Sequence, residues 1–295
     1  MGLDTFHRLR YPFPHRPFEA AKDPMTETTS MTANAPFTSD LLKGKKGIVF
    51  GVANRRSIAW GIAQALANHG AQLAFTYQGD RLKEGVEELA RILPLKSPLY
   101  PCDVTKDDEV KSVFDSLGRE FGSLQFLVHC VAFAKKEELD GRTVDTSRDG
   151  FHLAMDVSSY SLLALAKAAE PLLEKEGGSI VALTYLGSEK VIPNYNVMGL
   201  AKASLESSIR YLAADLGKKN IRVNGVSAGP ISTLAARGIA GFTTMLENHR
   251  KRAALGRNVE VEEVANTALF LLSPLASGIT GEILFVDCGY RIMGF

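Results

Sequence analysis

Cysteine is scarce. Cys102, Cys130 and Cys288 are scattered, odd in number and outside any CxxC or metal-ligand spacing. That pattern excludes a disulfide framework and reads as reduced thiols in a reducing compartment, the cytoplasm. The six histidines form no HxxxH cluster, which argues against a metal site. Neither sign of charge dominates: 34 Lys and Arg against 33 Asp and Glu leave +1, so nothing favours nucleic acid or an anionic membrane surface as partner. No apolar run approaches the length of a membrane span, and no solenoid-period repeat is visible.

What is present is a 295-residue chain, 45% hydrophobic, enough for one large core. Residues 1–38 differ from the rest, with Arg8, Arg10, Pro12, Pro14, Arg16 and Pro17 followed by a Thr-rich stretch. They contain no apolar core of a secretory signal and read as a flexible tail. Residues 39–295 alternate strand and helix patterns. Strands are expected at 46–53, 72–77, 98–102, 125–131, 178–184, 221–227 and 282–286. Helices are expected at 57–69, 80–92, 106–121, 151–173, 194–216 and 261–272. Repeated βα units with near-continuous apolar strands predict an α/β fold, a doubly wound, Rossmann-like parallel sheet in a single domain.

Such sheets bind ligands at the carboxyl ends of their strands. The first end runs Gly51-Val-Ala-Asn-Arg-Arg-Ser57-Ile58. Gly51 permits a tight turn and small Ser57 permits close approach of a pyrophosphate to a helix N-terminus, though a plain strand-to-helix turn explains the run equally well. At the second end Gln78 is neutral and suits a ribose hydroxyl, while Arg81 leaves some room for a 2′-phosphate; the balance favours NADH. At the third, Asp103 is either an acceptor for an adenine amine or part of the next helix's cap.

The densest chemistry lies between Tyr185 and Lys202. Asn194 is the expected cap of the helix that follows. Tyr195 and Lys202 are seven residues apart, about two turns, so they share a face. A lysine there would lower the phenol's pKa and hold negative charge on a substrate oxygen. Taken alone, the pair is better explained as a buried helix face with a snorkelling lysine.

Together these stretches resemble the short-chain dehydrogenase/reductase superfamily and, within it, the bacterial NADH-dependent enoyl-acyl-carrier-protein reductases. The likeness rests on Gly51-Val-Ala, Ser57 to Ala63, Phe75 to Gln78, Cys102-Asp-Val104, Asp156 to Ser161, Tyr185-Leu-Gly, Ile192 to Glu206 and Ser227 to Ala236. Four residues before Lys202 stands Met198, so the spacing is Tyr-x6-Lys, as in enoyl reductases, and not the Tyr-x3-Lys of ketone reducers. The resemblance implies hydride transfer from NADH to the β-carbon of an enoyl thioester borne by acyl carrier protein, in fatty-acid biosynthesis. It implies Tyr185, Tyr195 and Lys202 as the catalytic set, with Lys202 also on the nicotinamide ribose. It implies dinucleotide contacts from Gly51, Ser57, Ile58, Gln78, Asp103, Val104 and Val131, and from Ile231, Ser232, Thr233, Leu234 and Ala235. Phe133, Ala134, Tyr185, Met198, Ile239 and Phe242 would line the substrate pocket, with a helical lid over it near residues 236–246. The lesser alternative for Tyr185 is an aromatic strand-end residue packed on the core. Cys130, Lys135, Ser232 and Cys288 depart from the family pattern. A homotetramer built through the helices containing Tyr160 and Leu205 is the further implication. Two alternatives stand beside this: a carbonyl reductase, disfavoured by the spacing, and a dinucleotide-binding regulator without turnover, disfavoured by the complete Tyr–Tyr–Lys set.

Overall fold

In the computed structural model, residues 38–234, 236 and 240–294 are described. The expected tail therefore falls almost wholly outside the described residues. Seven parallel strands form one sheet in the order β3-β2-β1-β4-β5-β6-β7. They are β1 (Lys46–Phe50), β2 (Gln72–Tyr77), β3 (Leu99–Pro101), β4 (Phe126–His129), β5 (Gly178–Thr184), β6 (Ile221–Ala228) and β7 (Ile283–Val286). Between them run α1 (Ile58–Asn68), α2 (Asp80–Arg91), α3 (Asp107–Phe121), α4 (Arg148–Met155), α5 (Ser161–Leu173), α6 (Asn196–Gly217), α7 (Phe242–Arg252) and α8 (Val261–Leu272).

Alternating strand residues feed two cores. Val49, Phe75 and Val128 pack on one face with Leu66 of α1, Val86 of α2 and Leu271 of α8. Ile48, Leu127 and Ile180 pack on the other with Leu117 of α3, Leu165 of α5 and Leu205 of α6. Burial on both faces is why the strands read as unbroken apolar runs. Strand order reverses at β1, which pairs with β2 on one side and β4 on the other, Val49 opposite Phe75 and Val128. That switch point is where a crevice opens beyond the strand ends.

Two expectations need correction. The single helix expected over 151–173 starts earlier, at Arg148, where the Ser147 hydroxyl caps it by accepting from Gly150 N at 3.0 Å. It is then interrupted by a π-turn over Asp156–Tyr160. The turn carries Ser158 inward, where its hydroxyl accepts from Phe133 N (2.9 Å) and bonds Phe133 O (3.1 Å). Such local widening is common beside functional sites. Asn194 is not the cap of α6. It takes a left-handed φ of 60° and its amide donates to Ala240 O at 2.9 Å, leaving Tyr195 as the residue that precedes the helix.

Candidate active site

Gly51 follows β1 with φ +98°, and a Cβ there would lie 2.2 Å from the Cys130 carbonyl oxygen. Only a bare backbone turns this closely past the end of β4. Beyond it opens a cavity of about 350 Å³ whose walls include Gly51, Gln78, Asp103, Val104 and Val131. Asp103 does not cap α3, whose first turn is preceded by Lys106. Its carboxylate instead accepts from Thr105 N (3.0 Å) and Thr105 Oγ1 (2.8 Å). Burial alone would raise its pKa, but the bonds from Thr105 and Gln78 and the charge of Lys106 together hold it below the usual carboxylate value. It is thus an ionised acceptor at the cavity wall. Ser57 stands immediately before α1 and donates its hydroxyl to Asn54 O at 2.7 Å.

A second cavity, about 460 Å³, adjoins the first through Ala132 and Phe133. Tyr185 reaches it from the end of β5, Tyr195, Met198 and Lys202 from α6 and the residue before it, and Phe133 and Ala134 from the loop after β4. Ile58, Ile231, Thr233 and Phe242 complete the placement of the sequence-selected residues along its wall. The Tyr185 and Tyr195 rings meet edge to face, centroids 5.0 Å apart at 73°. Tyr195 fits because Gly187 carries no side chain: a Cβ there would come within 2.5 Å of the ring. The Tyr185 hydroxyl donates to Met245 Sδ of α7 at 3.4 Å, so α7 touches the site.

Lys202 is buried and its Nζ donates to Leu183 O at 2.6 Å. Burial draws its ammonium down to about 8, against the opposing pull of Cys130 and Glu206. No hydrogen bond joins Lys202 to Tyr195 among the described residues. The expected lowering of the phenol is accordingly reversed: burial, then Tyr185 and Glu206, push Tyr195 above its ordinary value of 10.0. Burial likewise takes Tyr185 up to about 12. Both phenols enter the site as protonated hydrogen-bond donors, and one ammonium lines the same cavity.

Some selected residues lie elsewhere. Ser232 lines a separate recess with Arg55, Arg56 and Gln64. Leu234 is exposed and lines neither cavity. Ala235 and Ile239 lie outside the described residues. Sequence reasoning missed Thr76 and Cys102 in the first cavity, and Leu139 and Pro230 in the second. The first two sit on or beside strand ends already flagged and could have been taken with them; Leu139 carries no motif and arrives only by folding.

A dinucleotide-sized pair of adjoining cavities, two protonated phenols, an ammonium and apolar walls suit hydride transfer to an extended substrate whose oxygen gains charge. The family profile described as Enoyl-(Acyl carrier protein) reductase matches residues 51–291. The NADH-dependent enoyl-[acyl-carrier-protein] reductase FabI of Bacillus subtilis is 56% identical over 252 residues, covering 85% of this chain and 97% of that one. The Rhizobium meliloti enoyl-[acyl-carrier-protein] reductase [NADH] 1 is 54% identical over 256 residues, 87% of this chain and 93% of its own. Among solved structures, the Anaplasma phagocytophilum enoyl-(acyl-carrier-protein) reductase in complex with NAD superposes with a TM-score of 0.85. It is 49% identical and covers 88% of this chain and 99% of its own.

Proposed function

This chain belongs to the enoyl-(acyl carrier protein) reductase family, and from that premise we propose how its residues divide the work. The reaction is NADH-dependent reduction of the trans-2 double bond of enoyl thioesters on acyl carrier protein, a step of fatty-acid biosynthesis. Bound NADH supplies the hydride that goes to the β-carbon.

The first cavity fits the dinucleotide: Gly51 leaves the space a Cβ would fill, Asp103 offers an ionised acceptor, and Gln78 offers an amide for a ribose hydroxyl. Val104 and Val131 supply apolar wall, and Ile58, Ile231 and Thr233 line the adjoining cavity. In the second cavity, negative charge grows on the thioester oxygen as the β-carbon is reduced. Tyr195, a buried donor with no described hydrogen-bond partner, gives that oxygen a hydrogen bond that strengthens in the transition state. Lys202 holds the nicotinamide ribose and adds positive potential. Tyr185 donates from the other side or walls the acyl chain, with Phe133, Ala134, Met198 and Phe242. The α7 helix, tied to Tyr185 through Met245, is the lid.

The observation that carries this division is that Tyr195 and Lys202 reach one cavity with apolar Met198 between them. The test is Lys202→Met followed by an NADH titration. Affinity should fall about tenfold or more, as expected for loss of charge-assisted bonds; unchanged affinity removes Lys202 from the ribose.

Two wider parts of the proposal have separate support. Tyr160, Leu163, Leu200 and Tyr211 stand exposed on or beside α5 and α6, apolar surface suited to a homotetramer interface. Cytoplasmic placement is supported by the free thiols Cys102, Cys130 and Cys288; no helix among the described residues is long and apolar enough to cross a membrane. The catalytic domain is assigned to residues 39–295, a reading supported by the family profile's match to residues 51–291 and by relatives of which 93–97% is covered by 85–87% of this chain.

A further inference from the structure

Glu206 is a carboxylate buried at 4% exposure inside the fold. Placing such a charge there is costly unless something holds it. The hydroxyl of Thr184 does so, donating to Glu206 Oε1 at 2.6 Å. Thr184 is the last residue of β5, between Leu183, whose carbonyl takes the Lys202 ammonium, and Tyr185. Lys202 and Glu206 lie four apart on α6, one helical turn. Two successive residues at the strand end are therefore gripped by two residues one turn apart on the helix, immediately before a phenol of the site. The order, lysine before glutamate, is the less favourable one for helix stability, and no ion pair joins the two among the described residues. Helix stabilisation thus does not account for the carboxylate.

We propose that Glu206 is a positioning residue for this reaction, fixing the end of β5 through Thr184 and supplying counter-charge to the Lys202 ammonium. The proposal rests on the assignment of Lys202 given above. The groups acting on Lys202 are few: His129 and Cys130 at the end of β4, and Glu206 on its own helix. His129 is fully buried and its pKa is drawn down to about 3, chiefly by desolvation, so it adds no charge near neutrality. Burial pushes the Cys130 thiol up to about 12, so it too is neutral. Glu206 is the one negative charge left in that set to offset the cost of burying Lys202.

The experiment titrates Lys202 directly, by NMR of protein carrying ¹³C-labelled lysine side chains, with the Lys202 signal identified by its loss in Lys202→Met. In Glu206→Gln, which keeps the volume and an oxygen for Thr184, the Lys202 midpoint should fall by about one pH unit. The high-pH limb of the kcat/KM profile should move the same way, and Glu206→Asp should restore both in part. A Lys202 midpoint unmoved in Glu206→Gln overturns the counter-charge. Thr184→Val tests the clamp, because the carboxylate remains while its donor is lost. There kcat should drop about tenfold or more at little cost in NADH affinity, as the phenol is displaced. Wild-type kcat in a folded Thr184→Val protein overturns the positioning. Should Lys202→Met leave NADH affinity and rate intact, the Lys202 assignment fails on its own, while the titration still decides whether Glu206 sets its charge.

Discussion

Replacing Tyr195 by Phe removes one oxygen and nothing else from a buried ring. The ring keeps its edge contact with Tyr185 at 5.0 Å and its seat over bare Gly187. The hydroxyl makes no hydrogen bond among the described residues, so its loss strands no partner. Stability should therefore change by no more than about 0.5–1 kcal/mol, the range of substitutions that break no buried network. The transition state is different. Loss of a donor aimed at a developing oxyanion costs about 10²–10³ in kcat. The assay is steady-state oxidation of NADH with a trans-2-enoyl thioester, beside a fluorescence titration of NADH and a thermal melt. The account requires a large fall in kcat with near-native cofactor affinity and melting temperature. A kcat within about threefold of wild type refutes it, and so does a loss explained by weaker NADH binding or by unfolding.

Gly51→Ala should be poorly tolerated, since φ +98° and a Cβ 2.2 Å from a backbone oxygen force the turn to move; weaker NADH binding and a lowered melting temperature are expected, and a native-like protein would contradict the close approach. The charge on Lys202 gives a signed pH effect. Its pKa falls on folding from 10.5 to about 8, so between those values the unfolded chain binds more protons and stability rises with pH. In the cofactor-free protein the stability of wild type relative to Lys202→Met should accordingly rise between about pH 8 and about pH 10.5; denaturant melts at both ends of that window check this. Deleting residues 1–37 should leave kcat/KM unchanged, and a collapse in rate or solubility would make that segment part of the catalytic unit.

Most of the fold was legible because its strands are buried on both faces and its helices carry clear stops. The β5 run Gly178–Thr184 needs no context to be read as a strand, and strand alternation with helices then leaves few topologies. That Tyr195 and Lys202 share one face was legible from their spacing. The charge state of the phenol was not, because desolvation depends on what folds over the ring, and it outweighs a cation that bonds elsewhere. The π-turn at Asp156–Tyr160 escaped because its sequence suits a continuous helix; the reason for the break, the bonds from Ser158 to Phe133, lies 25 residues away. Asn194 looked like a cap because asparagine favours caps and left-handed turns alike, and only the contact with Ala240 decides between them. The Thr184–Glu206 clamp joins residues 22 apart and carries no local signature.

The most direct test of the central claim is the near-ultraviolet absorbance of NADH with purified protein and either a trans-2-enoyl or a 3-ketoacyl thioester of equal chain length. Oxidation with the enoyl substrate and none with the ketoacyl one is the predicted result. Oxidation with the ketoacyl substrate instead would contradict the reading of the Tyr-x6-Lys site.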